Sequence, residues 1–263
     1  MHRQTLQQLS NKYHKSIPWI REQINEFDVG EKVHNPREIN LACDATFYGK
    51  KRDKLGTLIF KDNDSREVVI WKHIESETKN DYIYLISELD KLGYTILSVV
   101  LDGKRGMDKA FKDIPRQMCH FHMKQIIQRY ITMKPKLEAS KELKKIMSSL
   151  TRSNEKNFTQ NINNWYKKYE QFLAEKTISS TTGKLQYTHP RLKSAYRSLK
   201  NNLPYLFTYK NKIYKHFKIQ NTTNSIEGGI FSHMKNMVSL HRGITKGKKL
   251  TLVDFYLMNL DKK

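Results

Sequence analysis

Cysteine is scarce in this chain. Its 263 residues contain only Cys43 and Cys119, too few for a disulfide scaffold and suited to a reducing compartment. Long apolar runs are missing too. None reaches the length of a membrane-spanning helix, and no signal-peptide pattern opens the sequence. No membrane partner is expected, and a cytoplasmic location is. There is no internal repeat and no low-complexity tract. The most telling shortage is of acid: 26 Asp and Glu face 48 Lys and Arg, for a formal charge of +22. Such an excess says little about fold, but it points to a polyanionic partner, nucleic acid first. A hydrophobic content of 38% can build a buried core and argues against wholesale disorder.

Residues 5–24 read as two short helices. Leu6, Leu9 and Tyr13 share one helical face, and His14, Lys15 and Ser16 make the break. Ser16 is placed to cap the second helix, with Pro18 tolerated in its first turn and Trp19, Ile20 and Ile24 expected to face inward. A tight turn between two helices suggests a helix-turn-helix that lacks its first helix. A polar stretch over 31–38 reads as a linker. Strand patterns follow at Ile39–Gly49, Lys54–Phe60 and Glu67–His73, with a hairpin signal at Asp62-Asn63-Asp64. Asn80–Leu92 has helical spacing and ends at Gly93, and Thr95–Leu101 is a continuous apolar run expected to be a buried strand. A short helix at Met107–Asp113 and a strand at Arg116–Cys119 complete the set. Three meandering strands followed by crossover units predict an α/β fold, a mixed sheet covered by helices in the order of a ribonuclease H-like core. From Met123 to about Lys200 the pattern is helical and basic, with apolar stripes at Leu137, Leu143, Ile146, Met147 and Leu150 and at Phe158, Ile162, Trp165, Tyr169 and Phe172. Asn224–Val238 reads as a last helix with Thr222 and Thr223 as cap candidates, and Lys246–Lys249 as a flexible basic loop.

Three acids stand out by context. Asp44 lies inside the first apolar strand, and Asp102 ends the fourth, followed by Gly103. A carboxylate there is costly to bury unless it is paired or binds a metal. A carboxylate at a strand's C-terminal end opens into the crevice where ligands bind in α/β sheets. If the first and fourth strands are neighbours, Asp44 and Asp102 meet. Oxygen ligands with room for water and phosphate suit Mg²⁺, and two such ions suit an in-line displacement at phosphorus. Glu227, in the first turn of the last helix, is the available third carboxylate, although a first-turn Glu often serves only the helix dipole. Cys119, His120 and His122 form a second cluster. Cys-x-x-His is half of a zinc site, but no second Cys pair exists, so a packed, hydrogen-bonded Cys–His pair near the active site is the better reading.

The segments CDATFYG, VVLDGKRG, QMCHFHMKQI, YTHPRLKSAYRSLKNNLPYLFTY and NTTNSIEGGIFSHMKNMVSLHRG together resemble the bacterial insertion-sequence transposases of the Mutator-like superfamily. The similarity is closest to the branch that carries an N-terminal zinc ribbon, a ribbon this sequence lacks; a truncated copy or a late start is the expectation. The resemblance implies a ribonuclease H-like domain with an Asp-Asp-Glu triad, falling on Asp44, Asp102 and Glu227, and an all-helical insertion before the Glu. It also implies that Cys119 and His122 help to organise the active site, with an insertion aromatic, assigned to Trp165, beside them.

The expected organisation is a partial helix-turn-helix over 1–30, a linker over 31–38, the core over 39–122, the insertion over 123–220, and a C-terminal core helix with a basic tail over 221–263. The expected activity is metal-dependent cleavage and strand transfer at the ends of an insertion sequence. Two Mg²⁺ serve it, with Mn²⁺ able to substitute. The partners are double-stranded DNA, as terminal inverted repeats and target, and further copies of the chain, in a nucleoid-associated bacterial setting. Arg105, Lys124, Arg242, Lys246, Lys248 and Lys249 are the expected phosphate contacts. The alternatives are a ribonuclease H-like nuclease or resolvase, and a catalytically silent DNA-binding remnant acting as a repressor.

Overall fold

A computed structural model describes residues 4–104, 106–241 and 243–260 of the protein. Two short helices come first, α1 (Leu6–Tyr13) and α2 (Ile17–Glu26). Thr5 and Gln8 form a reciprocal capping box on α1, and Ser16 accepts the Trp19 backbone N–H to cap α2. Ile20 is buried, but Trp19 and Ile24, expected to face inward, are exposed. The apolar stripe of this helix pair is thus only partly covered among the described residues. The 31–38 stretch has no regular structure before Glu38, yet it is fastened to the sheet. Lys32 pairs with Glu67 at 2.8 Å, and Arg37 pairs with Glu67 at 2.8 Å and Asp62 at 3.1 Å.

The sheet contains β1 (Glu38–Phe47), β2 (Gly56–Asp62), β3 (Val68–Ile74), β4 (Thr95–Leu101) and β5 (Arg116–Met118). Their spatial order is β3-β2-β1-β4-β5. β1–β2 and β2–β3 are antiparallel, while β1–β4 and β4–β5 are parallel. The protein is therefore of mixed α/β class, with a mixed five-stranded sheet. A parallel neighbour needs a crossover, and α3 (Lys79–Lys91) supplies it. Thr78 and Asp81 start this helix with a capping box. Gly93, at φ +84°, turns the chain back into β4. The short helix expected over Met107–Asp113 is a single 3-10 turn at Met107–Ala110.

Strand alternation sorts the sheet's side chains between two cores. Ile39, Leu41, Cys43, Val99 and Leu101 point to the α3 side. Ala42 and Ile59 point to the other side, where the last helices pack. Those helices are α8 (Asn224–Ile226), a π-helical turn (Glu227–Phe231), α9 (Ser232–Leu240) and α10 (Lys246–Met258). The expectation of a flexible loop at Lys246–Lys249 is thus corrected. Thr245 accepts the Lys248 backbone N–H and starts a helix there. Val253 and Leu257 anchor α10 in the core. The lysine run hid these apolar residues' helical spacing.

Between β5 and α8 the chain builds a separate helical layer. It comprises α4 (His120–Ile131), α5 (Glu138–Ser149), α6 (Glu155–Ala174) and α7 (Pro190–Asn202). Leu143, Phe158, Ile162, Trp165, Leu192 and Leu199 form its core. Leu137, expected in the first stripe, lies at the α5 cap and is exposed. This region is not all-helical, contrary to expectation. A hairpin, β6 (Lys176–Ile178) and β7 (Leu185–Tyr187), separates α6 from α7. Its β-branched Thr177 and Ile178 favour extension, and Gly183 at φ +65° supplies the turn.

Candidate functional site

The two aspartates come together through strand register. In the parallel β1–β4 pair Asn40 lies opposite Ser98 and Ala42 opposite Val100. Asp44 lies two residues past Ala42 and Asp102 two past Val100, and the two carboxylates are near enough for the Asp102 charge to raise Asp44. Asp44 is buried, and its Oδ1 accepts the Ala45 backbone N–H at 2.9 Å. Asp102 lies just past β4, where the chain turns at Gly103 (φ +78°), and its Oδ1 accepts the Lys104 N–H at 2.8 Å. The left-handed φ favours glycine at 103; a Cβ there would also stand 2.4 Å from the Met118 sulfur, the movable end of a flexible side chain.

Glu227 joins them from the C-terminal side. The segment before it is drawn in by the Cys119 N–H bond to Leu101 O at 2.8 Å and the His120 N–H bond to Asn221 O at 2.9 Å. Glu227 opens the π-helical turn, a widened turn that occurs often at functional sites. Ile226, Ile230 and Phe231 stay buried against the sheet, while the Glu227 carboxylate reaches His122, with Oε2 3.6 Å from Nε2. Gln117 and His120 both bond to Leu206 O, at 2.9 and 2.6 Å, and so lock the helical layer's return segment to β5 and α4.

Cys119, His122 and Thr223 form a hydrogen-bonded cluster behind the acids. The Thr223 backbone N–H and hydroxyl donate to Cys119 Sγ at 3.4 and 3.5 Å, and Thr223 Oγ1 lies 3.4 Å from His122 Nδ1. Thr222, not Thr223, uses its hydroxyl locally, accepting the Asn224 N–H at 3.1 Å. Thr223 was legible only as a cap candidate; its role as the link between Cys119 and His122 needs the fold.

The electrostatics are those of crowded acids beside one cation. Burial pushes the Asp44 carboxyl up. His122 opposes this and Asp102 adds to it, as Glu227 does more weakly, and the result is about 7. Burial works against charge on His122 as well. The hydrogen bond and charge of Cys119, followed by Asp44 and Asp102, outweigh it and raise His122 to about 9. Burial would also raise the Cys119 thiol, but hydrogen bonds with His122 and Thr223 lower it to about 7. Cys119 and His122 thus form the packed pair expected from their spacing.

Other expected residues lie elsewhere. Trp165 is a correction: it sits in the helical layer's core, donates its indole N–H to Ala139 O at 2.8 Å, and packs on Tyr169 and Tyr196. It shares the buried stripe of α6 with Phe158, Ile162 and Leu173, and its helical spacing fits that role. Lys124 lies on α4 and reaches Thr151 Oγ1 at 3.3 Å. Lys246, Lys248 and Lys249 occupy the first turn of α10, where Lys246 pairs with Glu75 at 3.2 Å. Arg105 and Arg242 lie outside the described residues. A cavity of about 520 Å³ opens at the Gly103 turn, lined by Gly103, Lys104, Arg116, Tyr130, Arg197 and Asn202 among others, and Asp102 does not line it.

Among the described residues no three His, Cys, Asp or Glu side chains form a ready-made metal-holding set. The donor chemistry nevertheless fits a hard divalent cation. All three acids offer oxygen. Glu227 Oε2 is shielded from solvent without a hydrogen-bond partner, although the side chain as a whole is partly exposed. Asp44 is held above its ordinary range by burial, with the charges of Asp102 and Glu227 adding to it. Among the described residues no helix is long and apolar enough to cross a membrane. No protein-family model matches the chain, and no curated protein does.

Proposed function

We propose that the chain is a DNA transposase of the Asp-Asp-Glu type, which cleaves and rejoins phosphodiester bonds at the ends of an insertion sequence. One observation carries the reading: Asp44, Asp102 and Glu227, widely separated in sequence, share an electrostatic neighbourhood at one end of β1 and β4. The strand order, with helices on both faces, supports a ribonuclease H-like core. The helical layer between β5 and Glu227 supports an insertion of the expected kind, and the charge of +22 supports a DNA partner.

In this reading Asp44, Asp102 and Glu227 would hold two Mg²⁺, for which Mn²⁺ could substitute. Bound there, the ions supply Lewis-acid activation of the attacking hydroxyl and neutralise charge on the departing oxygen. The protein's own part is placement. The β1–β4 pairing brings Asp44 near Asp102, and the Gly103 turn aims the Asp102 carboxylate. His122 shields and orients Glu227, with Thr223 and Cys119 holding the imidazole. Lys124 and the lysines of α10 contact phosphates, and a dimer or larger assembly brings two element ends together.

The test is Mg²⁺- or Mn²⁺-dependent nicking of duplexes carrying the element's terminal inverted repeats. Asp102→Ala and Glu227→Ala are expected to reduce it at least a hundredfold while leaving duplex affinity within a few-fold. Full activity in either variant sinks the site assignment. Tight binding by the unaltered chain with no cleavage under any divalent ion would instead mark a DNA-binding remnant. Cleavage of branched or hybrid duplexes alone would mark a nuclease.

A further inference from the structure

The hairpin β6–β7 adds nothing visible to the core. All of its strand residues are exposed, and a lone two-stranded hairpin is marginally stable in water. It is held at its base by the Thr188 N–H bond to Glu175 O at 3.0 Å and by His189 stacked on Phe172 at 3.8 Å. Register pairs Lys176 with Tyr187, Thr177 with Gln186 and Ile178 with Leu185. Alternation therefore puts Lys176, Ile178, Leu185 and Tyr187 on one face, with Thr177 and Gln186 on the other.

That face has two zones. Next to the turn, Ile178 and Leu185 are 73% and 64% exposed. At the base, the ammonium groups of Lys176 and Lys193 stand 5.4 and 3.2 Å from the Tyr187 ring centre. The Lys193 hydrogen bond, with the charges of Lys193, Lys176 and Arg197, holds the Tyr187 phenol below its ordinary value. The neighbouring acid, Glu175, is engaged by His189 at 3.2 Å. The result is an apolar tip beyond a cationic collar. An apolar pair alone would suit many partners, but a collar of three cations complements phosphate. Bulky apolar side chains entering between base steps, flanked by cations on the backbone, are how proteins unstack and kink duplex DNA.

We propose that this hairpin is a DNA wedge: Lys176, Lys193 and Arg197 seat on phosphates while Ile178 and Leu185 unstack a base step. The inference rests on the DNA-binding half of the function proposed above and does not require cleavage.

The test uses the full chain in EDTA with a short mixed-sequence duplex carrying 2-aminopurine beside a TA step, a readily unstacked site. Saturating protein is expected to raise 2-aminopurine fluorescence several-fold. Ile178→Ser with Leu185→Ser should remove that rise while leaving the salt dependence of affinity unchanged. Lys176→Ala with Lys193→Ala should flatten the slope of log affinity against log salt by about 1.8, at about 0.9 per lost phosphate contact. Thr177→Ala, on the opposite face, should change neither, and thermal melts confirm that each variant folds. An undiminished fluorescence rise in the Ser variant, or an unchanged slope in the Lys variant, overturns the proposal. So does a fall in sedimenting mass of the Ser variant with no fluorescence effect, which would make the tip a contact between copies of the chain. Asp102→Ala in parallel separates the two ideas. Cleavage by the unaltered chain without unstacking defeats the wedge alone, whereas failure to bind any duplex defeats both.

Discussion

Replacing Asp44 by Asn should stabilise the metal-free protein at alkaline pH and make it indifferent to Mg²⁺. The Asp44 carboxyl loses its proton at about 7 in the folded chain against 3.8 in the unfolded one. Between those values the folded state holds the extra proton, so stability falls as pH rises through that window. Above pH 7 the ionised Asp44 costs the folded state up to ~4 kcal/mol. Relaxation and entry of water recover part of this, so roughly 1–3 kcal/mol is the expected gain for Asp44→Asn at pH 8 in EDTA. In a chain of this size that is roughly 2–4 °C of melting temperature per kcal/mol. At pH 5, part of the way up from 3.8, the difference should shrink to roughly 0.4 of its alkaline value. His122 acts in the same direction. Raised from 6.5 to about 9, it contributes stability that is complete below 6.5 and lost as pH climbs through 9, so some alkaline loss persists in the variant. Mg²⁺ at a hundred times its dissociation constant should restore about 2.7 kcal/mol to the unaltered chain and little to Asp44→Asn. Thermal melts at pH 5 and 8, with EDTA or Mg²⁺, decide it. An Asn variant no more stable than the unaltered chain at pH 8, or one that gains as much from Mg²⁺, refutes the reasoning.

Gly103→Ala should cost roughly 1–3 kcal/mol, because it forces a left-handed φ on a residue with a Cβ, while the Met118 side-chain end gives way; denaturant titration measures it, and nicking should fall with it as the Asp102 turn shifts. Trp165→Ala should cost about 3–5 kcal/mol of stability yet leave the nicking rate of the folded fraction within a few-fold at low temperature, since Trp165 packs in the helical layer; a hundredfold loss of rate in folded protein would return it to the site. Thr245→Ala should cost about 1 kcal/mol and fray the first turn of α10, seen as faster amide exchange at Lys248 and Lys249.

Much of this protein was legible in its sequence. The strand and helix order came through because apolar spacing has period two in strands and near 3.6 in helices, and β4 was read at its observed bounds, Thr95–Leu101. Asp44 and Asp102 stood out because an acid in an apolar strand needs a reason. Cys119 and His122, one helical turn apart, were legible as a packed pair. Less visible was anything carried by weak local signals. The β6–β7 hairpin has three-residue strands, too short for a period to show. The apolar anchors of α10 were masked by lysines. Trp19 and Ile24 followed a helical stripe, but a stripe does not say whether another layer exists to cover it.

Local chemistry thus determined which segments are helix or strand and which carboxylates are candidates. Tertiary structure alone decided that β1 and β4 pair in a register that brings Asp44 near Asp102, since register depends on two strands distant in the chain. It also decided that a π-helical turn brings Glu227 to His122, that Thr223 faces Cys119 and His122 and not its own helix end, and that Trp165 serves the helical layer's core. These are relations between surfaces that meet only after the sheet and its helices close on each other, and no spacing along the chain encodes them.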